Sequence, residues 1–241
     1  MSLDESHNDG VSAELLAELR RFDTPTVANA LDLVRGTRSA EGFSRLPLVA
    51  ADPTAAPLVG FARCARIRAL TPPEEAPAAI RERRLAYYRY VADSPADSLM
   101  VIEDEDGEDA VGAYWGEVNT CLHKRLGVDG VLTNGVIRDL DDLEPEFTVL
   151  GGRVGPSHAY VRVTAVDVPV RVFGLDIAPG ELIHADKHGA VRLTQQEARA
   201  LPEAIAKIVE AEAELLTRAR QPGFDYDAML EAWAAFEKRR V

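Results

Sequence analysis

The sequence predicts an α/β fold that contains parallel strands. The main sign is a pattern that occurs twice in the middle of the chain, in which a short apolar run is followed by a glycine-containing turn and by charged residues. The first run, residues 111–114, leads to Gly116-Glu117, and the second, residues 130–133, leads to Arg138-Asp139. Strand, turn and helix start in this order are typical of parallel α/β units.

Two helices are predicted near the N-terminus, after a polar, disordered tail of residues 1–11. Ser12 caps the first helix, and Pro25 lies in the first turn of the second, which covers residues 26–34. Residues 36–58 show no periodicity and are rich in Gly, Ser, Ala and Pro. This composition favours a surface loop, and the alternative is a lid over the site of a neighbouring subunit.

The next part of the chain alternates strands with a basic helix. Strands are predicted over residues 58–70 and 98–102, with a helix over residues 78–92 between them. That helix interleaves arginines with tyrosines, a combination that can contact RNA, although the net charge of −13 argues against it. Residues 103–109 are acidic but lack the spacing of a calcium loop, so a solvated hairpin tip is predicted.

The last third predicts more strands and two helices. Strands are expected over residues 147–150 and 182–186, and a pair of strands over residues 165–174. A long helix follows over residues 194–220, and it opens with the Thr-x-x-Glu pattern of a capping box. A closing amphipathic helix over residues 225–238 lies within a predicted C-terminal extension that starts at residue 221.

Composition limits the classes of function. A chain of 241 residues can form one α/β domain with a sizeable core, and its 46% of hydrophobic residues is ordinary for a globular protein. The net charge of −13 argues against nucleic acid as a partner. The two cysteines lie far apart and are expected to be reduced thiols. Neither a membrane span nor a signal-peptide pattern is recognised, so we expect a cytoplasmic protein.

Glu117 and the Arg138-Asp139 pair are expected to face one pocket. In parallel α/β units the chemistry gathers beyond the carboxyl ends of the strands, and Gly116-Glu117 and Arg138-Asp139 both follow such ends. The first amides of the helix that starts at Gly116 form a ready site for an anion. The alternative for Arg138-Asp139 is a helix N-terminal cap with its surface partner.

The combined pattern resembles the RraA-like family. It consists of Gly116-Glu117, Arg138-Asp139 and the later stretch P-G-E-L-I-H-A-D-K-H-G-A-V over residues 179–191. The resemblance covers roughly residues 12–220, which we take as the domain. It implies a layered α-β-β-α arrangement similar to the family's swivelling β/α/β domain, with helices at both ends, and assembly as trimers or hexamers with sites between subunits.

The family resemblance also implies a chemistry. The family includes metal-dependent class II aldolases that act on 4-hydroxy-4-methyl-2-oxoglutarate and 4-carboxy-4-hydroxy-2-oxoadipate. Asp139 corresponds to the family's ligand of Mg²⁺ or Mn²⁺, and Arg138 to the guanidinium beside the keto or enolate oxygen of the substrate. The amides of Gly116, Glu117, Val118 and Asn119 are expected to bind the substrate carboxylate.

Two acidic residues complete the predicted site. Glu117 stands where many relatives have Asp, and it is expected to hold a water that takes the proton of the C4 hydroxyl. The family sends a carboxylate from the long C-terminal helix into the neighbouring subunit's site, and Glu214 is the candidate here. Oxaloacetate decarboxylation is an expected side activity because it passes through the same pyruvate enolate.

Other functions remain as alternatives. The family includes proteins that bind and inhibit ribonuclease E without known chemistry, so a regulator that binds a ribonuclease or another protein is the main rival. His184, Asp186 and His188 have a spacing that a strand can present as a metal site, although the family pattern favours a structural turn there. Nucleotide-binding, serine-hydrolase and zinc-protease motifs are absent from the sequence.

Overall fold

A computed structural model of the chain describes residues 10–239, and it has a mixed α/β fold. The helices within these residues are α1 (Ala13–Leu19), α2 (Thr24–Arg35), α3 (Pro77–Ala92), α4 (Glu117–Arg125), α5 (Gln195–Ala219) and α6 (Tyr226–Arg239). The strands are β1 (Val49–Ala50), β2 (Leu58–Arg68), β3 (Ser98–Asp104), β4 (Ala113–Trp115), β5 (Gly130–Thr133), β6 (Val136–Ile137), β7 (Thr148–Gly151), β8 (Arg153–Val154), β9 (Arg162–Val166), β10 (Val170–Val172), β11 (Leu175–Ile177), β12 (Leu182–Asp186) and β13 (Gly189–Leu193).

The main sheet has the strand order β1-β7-β5-β3-β2-β12-β13, and β9 also pairs with β2. The four central strands, β2, β3, β5 and β7, run parallel to one another, as the sequence predicts. The strands added outside them pair in the antiparallel sense. Three short strands, β4, β6 and β8, form a separate parallel sheet, and β10 pairs with β11 in a hairpin.

Alternate residues of β2 show how the main sheet is covered. Val59 and Phe61 pack with α1, α2 and α5, and Ile67 on the same face packs with α3 and the small sheet. Ala62 and Cys64, on the opposite face, pack against the β10–β11 hairpin. None of the helices between residues 10 and 239 is both long enough and apolar enough to cross a membrane.

Residues 36–58 lie mostly at the surface and are largely irregular, as their composition predicts, but their backbone is bonded to both borders of the main sheet. The amide of Ser44 donates to the carbonyl of Ala190 at 2.8 Å, and the amide of Arg192 donates to the carbonyl of Gly42 at 2.9 Å. A few residues later β1 pairs with β7 at the other border of the sheet. This one segment thus covers both borders of the main sheet, and its backbone is hydrogen-bonded to partners that lie far away in sequence.

The acidic segment 103–109 is not a solvated hairpin tip. It connects β3 of the main sheet to β4 of the small sheet, and it includes a 3₁₀ turn at Gly107–Asp109. Asp106 accepts hydrogen bonds from the amides of Ala69 and Leu70 at 2.6 and 2.7 Å. Asp104 is 1% exposed, and burial raises its pKa to about 6.

The segments near the two termini that the structure describes pack on the rest of the domain. Residues 1–9 of the predicted disordered tail lie outside the described residues, whereas Val11 is buried in the core beneath α1. The capping box at the start of α5 is present as predicted, with Thr194 and Glu197 as its two members. In the predicted C-terminal extension, α6 packs on α5 and buries Ala232 and Phe236.

Candidate active site

The small parallel sheet brings Gly116-Glu117 and Arg138-Asp139 together. In the pairing of β4 with β6, Trp115 lies beside Ile137, and the amide of Arg138 donates to the carbonyl of Trp115 at 2.9 Å. The residues that follow these strands, Gly116-Glu117 and Arg138-Asp139, therefore leave the sheet at the same edge. The sequence pattern predicts this arrangement, because carboxyl ends of parallel strands share an edge.

Gly116 lies against the Arg138-Asp139 pair. A Cβ atom at position 116 would be 2.4 Å from Oδ2 of Asp139 and 3.0 Å from Cγ of Arg138. The backbone of Gly116 is extended, with φ of −163°, so a glycine is needed here for close approach and not for its backbone conformation.

One oxygen of Asp139 is already in use. Its Oδ2 atom accepts a hydrogen bond from the amide of Glu117 at 3.3 Å and lies 3.3 Å from Nε of Arg138. Its Oδ1 atom accepts no hydrogen bond from residues 10–239. Asp139 thus accepts the first amide of α4 from a neighbouring strand end. The helix start that the sequence pattern predicts after Arg138-Asp139 is wrong, because turns at residues 140–146 lead directly to β7, so the pair is not the N-terminal cap of a helix of its own.

The backbone of Asp139 is left-handed, with φ of 54°. Asp and Asn tolerate this conformation better than most residues with a side chain. The carbonyl of Asp139 accepts the amide of Asp142 at 2.9 Å, which closes a turn after the strand end. The side chains of Arg138 and Asp139 are 34% and 37% exposed, so both are accessible to a small ligand.

The first turn of α4 presents amides but not the side chain of Asn119. Asn119 Nδ2 donates to the carbonyl of Tyr114 at 2.5 Å, and its Oδ1 accepts the Tyr88 hydroxyl at 2.7 Å. The side chain therefore ties α4 to β4 and α3. Within the described residues, the amides of Val118 and Asn119 have no hydrogen-bond acceptor, and the Glu117 and Val118 side chains are exposed.

A buried histidine on α4 links this helix to α3. His123 Nδ1 lies 2.6 Å from the carbonyl of Asn119 and Nε2 lies 2.6 Å from the Tyr87 hydroxyl. Because a carbonyl only accepts, Nδ1 carries the proton, and Tyr87 donates to Nε2. Burial lowers the pKa of His123 to about 4, so the ring is neutral. Sequence reasoning missed this pair, although His123 follows Asn119 by one helical turn.

Within a single chain, Glu214 does not join Glu117, Arg138 and Asp139. It lies on α5, where its carboxylate pairs with Arg218 and with Arg239, both at 2.8 Å. The predicted role of Glu214 therefore depends on a neighbouring subunit.

The rival metal cluster has a structural role. Asp186 accepts hydrogen bonds from the amides of Thr24 and His188 at 3.0 and 2.8 Å. His184 is buried, with Nε2 facing the carbonyls of Leu19 and Phe22 and Nδ1 near the Thr24 hydroxyl. These contacts join β12 to the start of α2.

The donor set near Asp139 suits a cation that keeps most of its water. Between residues 10 and 239 no group of three or more His, Cys, Asp or Glu side chains is arranged to hold a metal. Mg²⁺ is commonly bound through one or two carboxylates with several waters retained, and the free oxygen of Asp139 beside exposed Glu117 fits that demand. A zinc site with several protein ligands does not fit.

Fold and site together define an α/β protein with charged strand ends beside an open helix N-terminus. Residues 24–192 match the family model RraA-like, described as Aldolase/RraA, so the chain belongs to the RraA-like family. The family includes metal-dependent aldolases as well as non-catalytic inhibitors of ribonuclease E.

Individual relatives are distant. The uncharacterized protein MJ0644 of Methanocaldococcus jannaschii is 27% identical over 108 residues, or 44% of this chain and 52% of that protein, so the chain matches about half the length of this curated relative. A solved structure of an uncharacterized protein from Pseudomonas syringae has a TM-score of 0.65 at 20% identity, covering 96% of this chain and 99% of that chain. Streptomyces coelicolor RraAS2, described as an unusual member of the RNase ES inhibitor RraA family, has a TM-score of 0.64 at 22% identity, covering 87% and 99%. At these identities the two structures show the fold alone.

Proposed function

We propose that this chain is a divalent-metal-dependent aldolase that cleaves 4-hydroxy-2-oxo acids of the 4-hydroxy-4-methyl-2-oxoglutarate type to pyruvate. The observation that carries the proposal is the adjacency of Arg138 and Asp139 to the first amides of α4. A carboxylate, a guanidinium and unpaired amides at one strand edge match the three needs of a 2-oxo acid, which are a cation site, an oxyanion partner and a carboxylate site.

The cation would be held by Asp139, with water and substrate completing its coordination, and Mg²⁺ or Mn²⁺ suits this single carboxylate. When bound, such an ion supplies positive charge beside the oxygens of the 2-oxo acid. The amides of Val118 and Asn119 bind the substrate carboxylate. They are available because neither has an acceptor among residues 10–239. The amide of Glu117, which the sequence analysis also assigns to the substrate, donates to Asp139 instead.

Cleavage then requires movement of one proton and one electron pair. A water held by Glu117 accepts the proton of the C4 hydroxyl, the C3–C4 bond breaks, and C4 leaves as a carbonyl group. The electron pair of the broken bond goes to the pyruvate enolate, whose oxygen is stabilised by the guanidinium of Arg138. Protonation at C3 gives pyruvate. Oxaloacetate that loses CO₂ forms the same enolate, so decarboxylation is the proposed side activity.

The test is release of pyruvate from 4-hydroxy-4-methyl-2-oxoglutarate and from oxaloacetate, with EDTA and then with added Mg²⁺. We expect EDTA to abolish turnover of the aldol substrate and Mg²⁺ to restore it. Asn tolerates the left-handed backbone of position 139 as Asp does, so Asp139→Asn should fold normally. It should lose the aldol cleavage activity, and added Mg²⁺ should not restore it. Asp141→Asn changes an exposed neighbouring carboxylate and should behave as wild type. Aldol cleavage that survives both EDTA and Asp139→Asn would reject the metal assignment.

Removal of Arg138 should reduce the rate of the chemical step. Loss of one oxyanion donor typically costs about 3 kcal/mol, so Arg138→Ala should lower kcat by about two orders of magnitude. The measurement is steady-state kinetics with saturating Mg²⁺ on the folded variant. An unchanged kcat would place the oxyanion site elsewhere.

The alternative is a non-catalytic regulator that binds a ribonuclease or another protein. The family match favours it to the same degree, because the family contains both kinds of protein. Failure to turn over any 2-oxo acid with Mg²⁺ or Mn²⁺, combined with inhibition of a ribonuclease E in a cleavage assay, would support the regulator. We further propose a homotrimer or homohexamer in which Glu214 reaches the neighbouring site.

A further inference from the structure

An open groove of about 810 Å³ lies beside the N-terminal half of α3, and neither Arg138 nor Asp139 lines it. Its walls combine apolar and cationic groups. Pro73, Pro77, Ile80 and Leu85 supply the apolar surface, and Arg81 and Arg84 supply the positive charge. Glu75 also lines the groove, and its carboxylate is paired with Arg83. None of the residues predicted for the aldolase site lines this groove.

The loop that forms one wall is held in place. Arg83 pairs with Glu75 and also donates to the carbonyl of Val163 at 3.2 Å. Arg162 donates from Nη1 to the carbonyl of Thr71 at 2.8 Å. These contacts tie the loop before α3 to β9, so the groove exists before any ligand arrives, and binding does not have to pay for ordering this wall.

The two arginines of the groove have no internal partner. Between residues 10 and 239, neither Arg81 nor Arg84 forms an ion pair or a hydrogen bond through its guanidinium, whereas Arg83 in the same turn is paired with Glu75. A chain with a net charge of −13 contains ample carboxylates to neutralise them. Two unpaired guanidinium groups beside apolar side chains are suited to carboxylate or phosphate recognition.

RNA does not fit this surface, although the helix interleaves arginines with tyrosines. Base recognition on such a helix requires free aromatic faces. Tyr87 is fully buried, and the guanidinium of Arg63 covers the Tyr90 ring at 3.5 Å from its centre. The hydroxyl of Tyr88 is bonded to Asn119. The groove volume instead falls in the range of small-molecule sites, which is roughly 300–1,000 Å³.

We propose that this groove is a binding site for a small organic acid that carries two carboxylates on an apolar body. Arg81 and Arg84 receive the carboxylates, and Ile80, Leu85 and the prolines contact the carbon skeleton. The groove shares no lining residue with Arg138 and Asp139, so this proposal does not depend on the aldolase proposal.

Isothermal titration calorimetry of the full chain with phthalate, an aromatic dicarboxylate, tests the proposal. We expect saturable binding to the wild type, no binding of the neutral dimethyl ester, and at least about a tenfold weaker affinity for the double variant Arg81→Gln/Arg84→Gln. The control Arg21→Gln/Arg89→Gln removes the same charge from exposed positions outside the groove and should keep the affinity within about twofold. Arg138→Ala should also leave it unchanged.

Three results would overturn the proposal. The first is equal binding of phthalate by the wild type and the Arg81→Gln/Arg84→Gln variant. The second is an equal loss of affinity in the Arg21→Gln/Arg89→Gln control, which would indicate a general charge effect. The third is loss of phthalate binding in Arg138→Ala alone, which would assign the ligand to the strand-edge site. Circular dichroism of each variant is the control that distinguishes a loss of binding from a loss of folding.

Discussion

At position 116 the space that a side chain would need is occupied by Asp139 and Arg138. The contact is with side chains and not with backbone, so an added methyl group displaces the carboxylate and the guanidinium without disturbing the strand. The same glycine begins α4, whose first amide is bonded to Asp139. Position 116 therefore affects the geometry of the site much more than the stability of the fold.

We expect Gly116→Ala to remain folded but to lose most of its aldol cleavage activity. Replacement of an N-cap glycine by alanine costs about 1 kcal/mol or less, because the extended backbone accepts alanine. Displacement of Asp139 should raise the Mg²⁺ concentration needed for half-maximal activity by about tenfold or more. Urea unfolding and a Mg²⁺ titration of pyruvate release measure the two effects, and normal Mg²⁺ dependence would contradict the geometric argument.

At the residue scale, the sequence predicts which positions meet but not how each side chain is used. Gly116 and Asp139 meet because strand ends share an edge, which follows from local patterns. The side-chain amide of Asn119 is hydrogen-bonded to Tyr114 and Tyr88. This arrangement depends on how α3 packs against α4, and no local sequence pattern indicates that packing. Only the backbone amide of Asn119 is therefore available for the predicted contact with the substrate.

At the scale of elements, α4 depends on a neutral histidine. The unfolded chain takes up a proton on His123 near the ordinary pKa of about 6.5, whereas burial lowers the folded pKa to about 4. The stabilising contribution is thus complete above about pH 6.5 and is lost as the pH falls towards 4.

We predict that the free energy of unfolding falls by about 3 kcal/mol more in the wild type than in His123→Gln between pH 7 and pH 4. Comparison of the two proteins isolates His123 from Asp104, whose raised pKa acts in the opposite direction because its buried carboxyl favours the protonated form. Urea unfolding at several pH values gives both curves. Parallel curves would mean that His123 is protonated without cost in the folded protein.

The elements that were predictable have local signals. The sequence predicts strands over residues 130–133 and 182–186, and the structure has β5 and β12 at these bounds. The capping box of α5 is equally local. The hairpin tip predicted for residues 103–109 is wrong, and the sheet contacts of residues 36–58 were not predicted. In both cases the backbone or carboxylate partners come from distant segments, which no short pattern records.

At the scale of the whole molecule, the proposed site is incomplete in one chain. Glu214 pairs with Arg218 and Arg239 on the surface formed by α5 and α6, while Asp139 lies at the edge of the small sheet. A shared site requires a heterologous contact between copies, as cyclic trimers have.

Mixed oligomers test this requirement. Asp139→Asn and Glu214→Gln should each be inactive alone, but chains refolded together in equal amounts should recover activity at about a quarter of the sites in a cyclic trimer. Sedimentation equilibrium establishes the size of the assembly, and pyruvate release measures recovery. If the mixture stays inactive while each variant forms the wild-type oligomer, Glu214 does not act across the subunit boundary.

The segment from residue 42 to residue 51 has a consequence for how copies of this chain can associate. Unpaired strand borders act as templates on which other chains add β-structure, and they are a common cause of aggregation. Here one stretch of backbone occupies β13 at one border and β7 at the other. At these two borders of the main sheet the outermost pairing is therefore a two-residue strand and a single bridge, which offer little backbone for another copy to extend by strand addition.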